Sequence, residues 1–336
     1  MIFAGFAAGT IAGDISATNV STVHDSAMLQ LINQNYTTAR QILANHLSAN
    51  PFDLEARYLS FAIEQTRILD YESYLIEQKK FQIMADSMKE IFEKHIGTLK
   101  GYDSTICLFY LANVYGGISV MQAKTGNWFD GVKNAINSVS MLKLVKKREP
   151  QFYAADLGLG IFNYYLSTSF KWLPFLENKE LEGLASIESA LQADFPYNYA
   201  AKNSLCWILI ERDDFRRADS IAQSVLDEFP DNTIFLRIKA LIKLWTGRYD
   251  EALKSGRRLL KLTERRRPFN WSDLVAGYTV LVQSYDKLGK KQEACVAAQS
   301  LFVQKIPAEY LQIPHIKKNI KYINSVRQKC RKEARR

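Results

Sequence analysis

Residues 213–232, D-D-F-R-R-A-D-S-I-A-Q-S-V-L-D-E-F-P-D-N, have a counterpart in residues 246–260, T-G-R-Y-D-E-A-L-K-S-G-R-R-L-L. Phe215 and Tyr249, Ala218 and Ala252, and Leu226 and Leu260 each stand 34 residues apart. A fixed period of that length, with a turn, a small residue and an apolar stripe, is the mark of stacked helix pairs. The small residue lets two antiparallel helices approach closely, and Gly or Asp marks the turn between them. One pair alone leaves an apolar face uncovered, so neighbours must stack.

The register recurs outside these two segments. Tyr36, Ala39 and Pro51 have the spacing of Phe215, Ala218 and Pro230. In K-L-G-K-K-Q-E-A-C (287–295), Gly289 lies 42 residues after Gly247, and the loop E-R-R-R-P-F-N-W (264–271) accommodates the extra eight. L-A-N-V-Y (111–115) and T-G-N-W-F-D-G-V-K-N-A (125–135) read as a further pair, seven residues wider than the period. Seven residues are about two helical turns, so the apolar face keeps its phase. Residues 54–97 read as two long amphipathic helices stopped by Gly97. All eight prolines fall at expected boundaries or loops, and no stretch alternates as a β-strand does.

The aromatic, the small residue and the later proline give the chain its resemblance to the tetratricopeptide repeat (TPR) family. A second likeness, in G-L-G-I-F-N-Y-Y-L-S (158–167), W-L-P-F-L (172–176) and L-E-G-L (181–184), is to a bacterial TPR subgroup related to a mitochondrial outer-membrane family. The resemblance implies an all-α, tetratricopeptide-like solenoid over residues 20–314, with about five or six helix pairs. It also implies a concave groove lined by the first helix of each pair. Carried over by register, the groove residues are Asn203, Trp207 and Glu211, then Arg237, Leu241 and Trp245, then Thr279, Gln283 and Lys287. The implied partner is a peptide or helix of another protein, and the implied role is a non-catalytic scaffold or assembly factor of a bacterial envelope. Asn203 and Trp207 do not match the family's Lys and Asn clamp for C-terminal carboxylates, which disfavours that class of ligand.

Gly158 and Gly160, in D-L-G-L-G-I-F-N, pose a separate choice. A dinucleotide-binding loop needs a preceding strand and a third small residue. Here Q-F-Y-A-A-D precedes and Asn163 holds the third position, so close helix packing is the expected role.

The net charge of +9 is unevenly placed. Residues 315–336 hold nine Lys or Arg against Glu333 alone, and residues 254–267 hold seven against Glu264. The remainder is acidic by five. Ile316, Ile320, Ile323, Val326 and Cys330 share one helical face, so the tail is expected to be a basic capping helix. The alternative is an anionic-ligand surface for nucleic acid or lipid, built from Arg257, Arg258, Arg265, Arg266, Arg267, Lys317, Lys318 and Lys321.

Met1–Gly13 is apolar and uncharged, like the core of a secretory signal, although no basic residues precede it. Periplasmic or envelope placement follows as an expectation; the alternative is a packed helix in a cytoplasmic protein. No later apolar run reaches the ~18 residues of a membrane span. The aromatic loop S-F-K-W-L-P-F-L (169–176) is expected to fold back over a core or to offer an apolar patch.

No zinc spacing joins Cys107, Cys206, Cys295 and Cys330, which suit a core as small fillers. In a stacked array, helix spacing leaves only Cys295 and Cys330, 35 apart, within bridging reach. His24, His46, His95 and His315 lie in no H-E-x-x-H or other ligand motif, and no nucleophile elbow or phosphate loop occurs. Surface histidines and solvated carboxylates are the expectation, with no catalytic residue, metal or cofactor; the least favoured alternative is a hydrolase whose site is assembled from distant residues.

Overall fold

The computed structural model describes residues 22–169 and 177–333, so the leader and nearly all of the 169–176 loop lie outside the described residues. The first eight helices are α1 (Val23–Ile32), α2 (Tyr36–Ala49), α3 (Leu54–Tyr71), α4 (Tyr74–Ile96), α5 (Gly101–Thr125), α6 (Trp128–Arg148), α7 (Tyr153–Ser169) and α8 (Glu180–Ser189). Then come α9 (Tyr197–Glu211), α10 (Phe215–Glu228), α11 (Thr233–Trp245), α12 (Tyr249–Thr263), α13 (Trp271–Lys287), α14 (Lys291–Val303) and α15 (Pro314–Glu333). No strand occurs among the described residues. The fold is an all-α helical repeat: among the described residues it comprises seven consecutive helix pairs and a closing single helix, more than the five or six expected. Pairs whose lengths depart from 34 residues leave no period to count.

The repeat is most uniform at its turns. Gln34, Gly126, Asp213, Gly247 and Gly289 have φ of 61°, 90°, 61°, 78° and 71°, and each lies two residues before the second helix of its pair. In every case the next residue's N–H returns to a carbonyl five residues back, from Asn35 to Gln30 (2.8 Å) through Lys290 to Tyr285 (2.9 Å). The left-handed residue's own N–H bonds the carbonyl three back, as in Asp213 to Ile210 at 3.1 Å. Together these two bonds close the first helix and reverse the chain. Glycine adopts this conformation freely, whereas Gln34 and Asp213 carry a Cβ there at some steric cost. Five residues after each turn residue stands Ala39, Gly131, Ala218, Ala252 or Ala294, all buried. This is the small-residue position that the period located.

The chain divides into two compact units, Met1–Leu69 with Glu77–Leu205, and Asp70–Ile76 with Cys206–Arg336. In the first unit, α5, α6, α7 and α8 pack in sequence order. Its core is aromatic: Tyr58 stacks on Tyr110 at 4.5 Å between centroids, and Phe109 meets Tyr197 edge-on at 5.5 Å. By length and composition α5 is apolar enough to cross a membrane, contrary to the expectation that no later segment qualifies. Its side chains explain that character differently, since Cys107, Leu108, Phe109, Leu111, Val114 and Ile118 are buried in the protein.

Gly158 and Gly160 lie inside α7 and pack as expected. A Cβ on Gly160 would come within 2.6 Å of the Gly183 carbonyl oxygen and 2.8 Å of the Ile187 nitrogen. A Cβ on Gly158 would meet Leu142 at 2.5 Å. The α7 and α8 backbones approach so closely that only glycine fits.

In the second unit, α10 to α14 stack in order and α15 packs on α13 and α14. Ile316, Ile323 and Val326 of α15 are buried, as the tail's apolar stripe implies. A disulfide joins Cys295 of α14 to Cys330 of α15, with Cα atoms 5.9 Å apart, while Cys107 and Cys206 are buried thiols that take no part in a disulfide.

Candidate functional site

The expected groove positions fall into a gradient. The first member of each triplet, Asn203, Arg237 or Thr279, is buried. The middle members, Trp207, Leu241 and Gln283, are half-buried, and the last, Glu211, Trp245 and Lys287, are exposed. Of these nine positions, the open ones lie toward the C-terminal ends of α9, α11 and α13. Trp245 is 49% exposed, a large value for an indole, and its ring lies 6.5 Å from that of Phe215.

Arg237 departs from the expected role as an accessible groove residue. Its Nη1 donates to Asp273 Oδ1 at 3.2 Å and Ser272 Oγ at 3.3 Å, and lies 3.9 Å from Glu72 Oε1. Arg266, expected on the anionic-ligand surface, is also turned inward. It donates to Asp70 Oδ2 at 2.6 Å, Asp273 Oδ2 at 3.1 Å and Thr233 Oγ1 at 2.9 Å, with its guanidinium over the Tyr71 ring. Asn270 donates to Asp273 Oδ2 and its side-chain oxygen caps the start of α13 through the Asp273 N–H. His315 of α15 closes the cluster on Glu72, at 2.7 Å. Burial disfavours charge at Arg237, but Asp273, Glu72 and Asp70 outweigh it and raise its pKa. Burial, with Asp70, pushes the Asp273 carboxyl up against the two guanidiniums. The group is a closed charge network, since each buried charge has a partner of opposite sign.

Of the remaining basic positions, Arg257 donates to the Tyr285 hydroxyl at 2.7 Å and Arg258 to the Pro230 carbonyl at 2.5 Å. Arg267 donates to the Glu264 and Arg266 carbonyls. Arg265, Lys317, Lys318 and Lys321 are exposed.

The first unit holds a polar group that the sequence motifs missed. Thr22 caps α1 by accepting the Asp25 N–H at 3.1 Å, which sets His24 in the first helical turn. His46 lies in the last turn of α2. Asp53 caps α3, its Oδ1 accepting the Ala56 N–H at 2.9 Å. Its other oxygen, Oδ2, faces both imidazoles, 2.9 Å from His24 Nε2 and 2.8 Å from His46 Nε2. The two rings meet edge-on with centroids 5.4 Å apart. Behind them, Glu55 Oε2 lies 3.6 Å from His24 Nδ1 and Asn50 Nδ2 lies 3.4 Å from His46 Nδ1.

One ligand atom from each of His24, His46 and Asp53 falls within 4.8 Å of the others, the one such group of three among the described residues. The expectation of scattered surface histidines is corrected for this pair. His24 and His46 lie 29 and 7 residues from Asp53, on elements whose juxtaposition depends on how α1, α2 and α3 pack. Burial pushes the Asp53 carboxyl up, but the Ala56 N–H and the two imidazoles outweigh it and hold it below the usual carboxylate range. Burial, with Asp53 and Asp25 nearby, pushes Glu55 up to about 8.

No family model and no curated protein matches the chain. It is similar to the crystal structure of the C-terminal part of a TPR repeat-containing protein from Cytophaga hutchinsonii, at 13% identity and a TM-score of 0.40, over 84% of this chain and 95% of that one. So faint a likeness adds nothing to the helix pairs and shared turns, which carry the repeat architecture by themselves.

Proposed function

We propose that this protein is a non-catalytic scaffold that takes a peptide or helix of another protein on the open ends of α9, α11 and α13. The observation that carries this reading is Trp245, an indole 49% exposed at a groove register position at the end of α11. A broad, stiff aromatic supplies contact area at little entropic cost, and such residues dominate binding energies. Glu211 and Lys287, exposed at equivalent positions on α9 and α13, supply opposite charges that orient the partner. Arg237 is not part of this surface.

The proposal includes an oxidising compartment, such as a periplasm, as the setting. The Cys295–Cys330 disulfide supports it, because reducing cytosols keep such pairs open.

A displayed random-peptide library selected on the full chain tests the binding surface. Selected peptides should share an apolar anchor, and Trp245→Ala should weaken them by about 2 kcal/mol. Helix content should remain unchanged. A selection that yields no ligand, or ligands indifferent to both Trp245→Ala and Lys287→Ala, would contradict the reading. Loss of binding on adding salt, with Trp245→Ala silent, would favour the basic surface and an anionic ligand instead.

A further inference from the structure

We propose that His24, His46 and Asp53 form a binding site for a divalent transition-metal ion of the zinc class, held by the Nε2 atoms of both histidines and Oδ2 of Asp53. The inference is independent of the peptide surface proposed on the second unit.

Three geometric facts converge on it. First, both imidazoles present the same ring nitrogen to the same carboxylate oxygen, at 2.9 and 2.8 Å. A tetrahedral ion bonded to each donor at about 2.0–2.1 Å sets neighbouring donors about 3.3 Å apart. The two Nε2–Oδ2 contacts need open by only about half an ångström, and the three ligand atoms already lie within 4.8 Å of one another. Second, each histidine has a polar side chain behind it: Glu55 Oε2 at 3.6 Å from His24 Nδ1, and the Asn50 amide at 3.4 Å from His46 Nδ1. A metal on Nε2 leaves the ring proton on Nδ1, where Glu55 would accept it after closing by a few tenths of an ångström and Asn50 by turning its amide oxygen inward. Such outer partners fix the ring tautomer and orientation in metal sites. Third, Asp53 is itself fixed, because its Oδ1 is engaged by the Ala56 N–H and leaves Oδ2 directed at the rings.

Donor chemistry sets the class of ion. Two imidazoles and one carboxylate, without thiolate, suit zinc and its first-row neighbours better than magnesium or calcium, which want oxygen ligands. The three ligand side chains are 16–22% exposed, so water reaches a fourth position. The ligands come from the start of α1, the end of α2 and the cap of α3, so a bound ion fastens three successive elements to one another.

Zinc titration of the metal-stripped full chain, by competition with a chromogenic chelator, tests the site. One zinc per chain is expected, and cobalt in its place should give the visible absorption of a tetrahedral centre. His24→Gln and His46→Gln should each weaken binding at least tenfold, and the double variant should abolish it. Glu55→Gln should weaken it by about tenfold, as loss of an outer partner does. His95→Gln should leave it unchanged. Variant folding is checked by helix content, and a second measurement needs no variant: zinc should protect His24 and His46 of the natural chain, but not His95, from acylation of the imidazole. Absence of zinc binding by the folded natural chain would overturn the proposal. So would zinc binding undiminished in the folded double variant, or acylation of His24 and His46 indifferent to zinc.

Discussion

Two polar clusters, one in each unit, solve the same electrostatic problem in opposite ways. In the second unit Asp70 and Asp273 are fully buried, and the chain supplies guanidiniums from Arg237 and Arg266 to meet them. In the first unit Asp53 and Glu55 are half-buried, and among the described residues their ion pairs are with histidine alone. One cluster carries its cations in the sequence and is closed. The other gathers lone-pair donors around a carboxylate and is open to a cation from outside. A buried charge must find a partner, and a carboxylate whose side-chain partners are imidazoles, themselves metal ligands, leaves a place for a cation that the chain does not carry.

The largest expected effect tests the closed cluster. Arg266→Met leaves Asp70 and Asp273 buried with too little positive charge and should cost about 3–5 kcal/mol in denaturant unfolding. His46→Gln in chelator-treated protein should cost only about 1 kcal/mol, the worth of one hydrogen bond to Asp53. Similar losses in the two variants would break the distinction between the clusters.

Gly160→Ala asks whether the first unit depends on helix packing instead. The new methyl would press on the Gly183 carbonyl and the Ile187 nitrogen, both backbone atoms that cannot swing aside. A loss of about 1–3 kcal/mol is expected in thermal or chemical unfolding. No loss would mean that α7 and α8 slide freely.

The smallest effect belongs to a feature both units share. Gln34→Gly in the first unit and Asp213→Gly in the second relieve the same left-handed turn, and each should gain up to about 1 kcal/mol. Equal gains would place the difference between the units in their polar clusters and not in their repeat geometry.

What the sequence made legible follows from how far apart the interacting residues lie. The turns, the small residues and the stripe on α15 are local or recur at one repeat length, so spacing alone located them. Arg237 kept its place in the register, yet the register does not say which end of a helix the neighbouring pair covers. Asp273, 36 residues on and capped by Asn270, is the signal that could have foretold its burial. Arg266 and Asp70 are 196 residues apart, and no local pattern connects them. Asp53 and His46 are seven apart across the Asn50–Pro51 turn, close enough to suspect, but His24 joins them only once α1 and α2 pack.

The contrast between a closed and an open cluster is tested most directly by anomalous diffraction at the zinc absorption edge from crystals grown with zinc. The account predicts a peak about 2.0–2.2 Å from His24 Nε2, His46 Nε2 and Asp53 Oδ2. It predicts none beside Arg237, Arg266, Asp70 and Asp273. An empty site at Asp53, with the three side chains still bonded to one another in the presence of zinc, would contradict it.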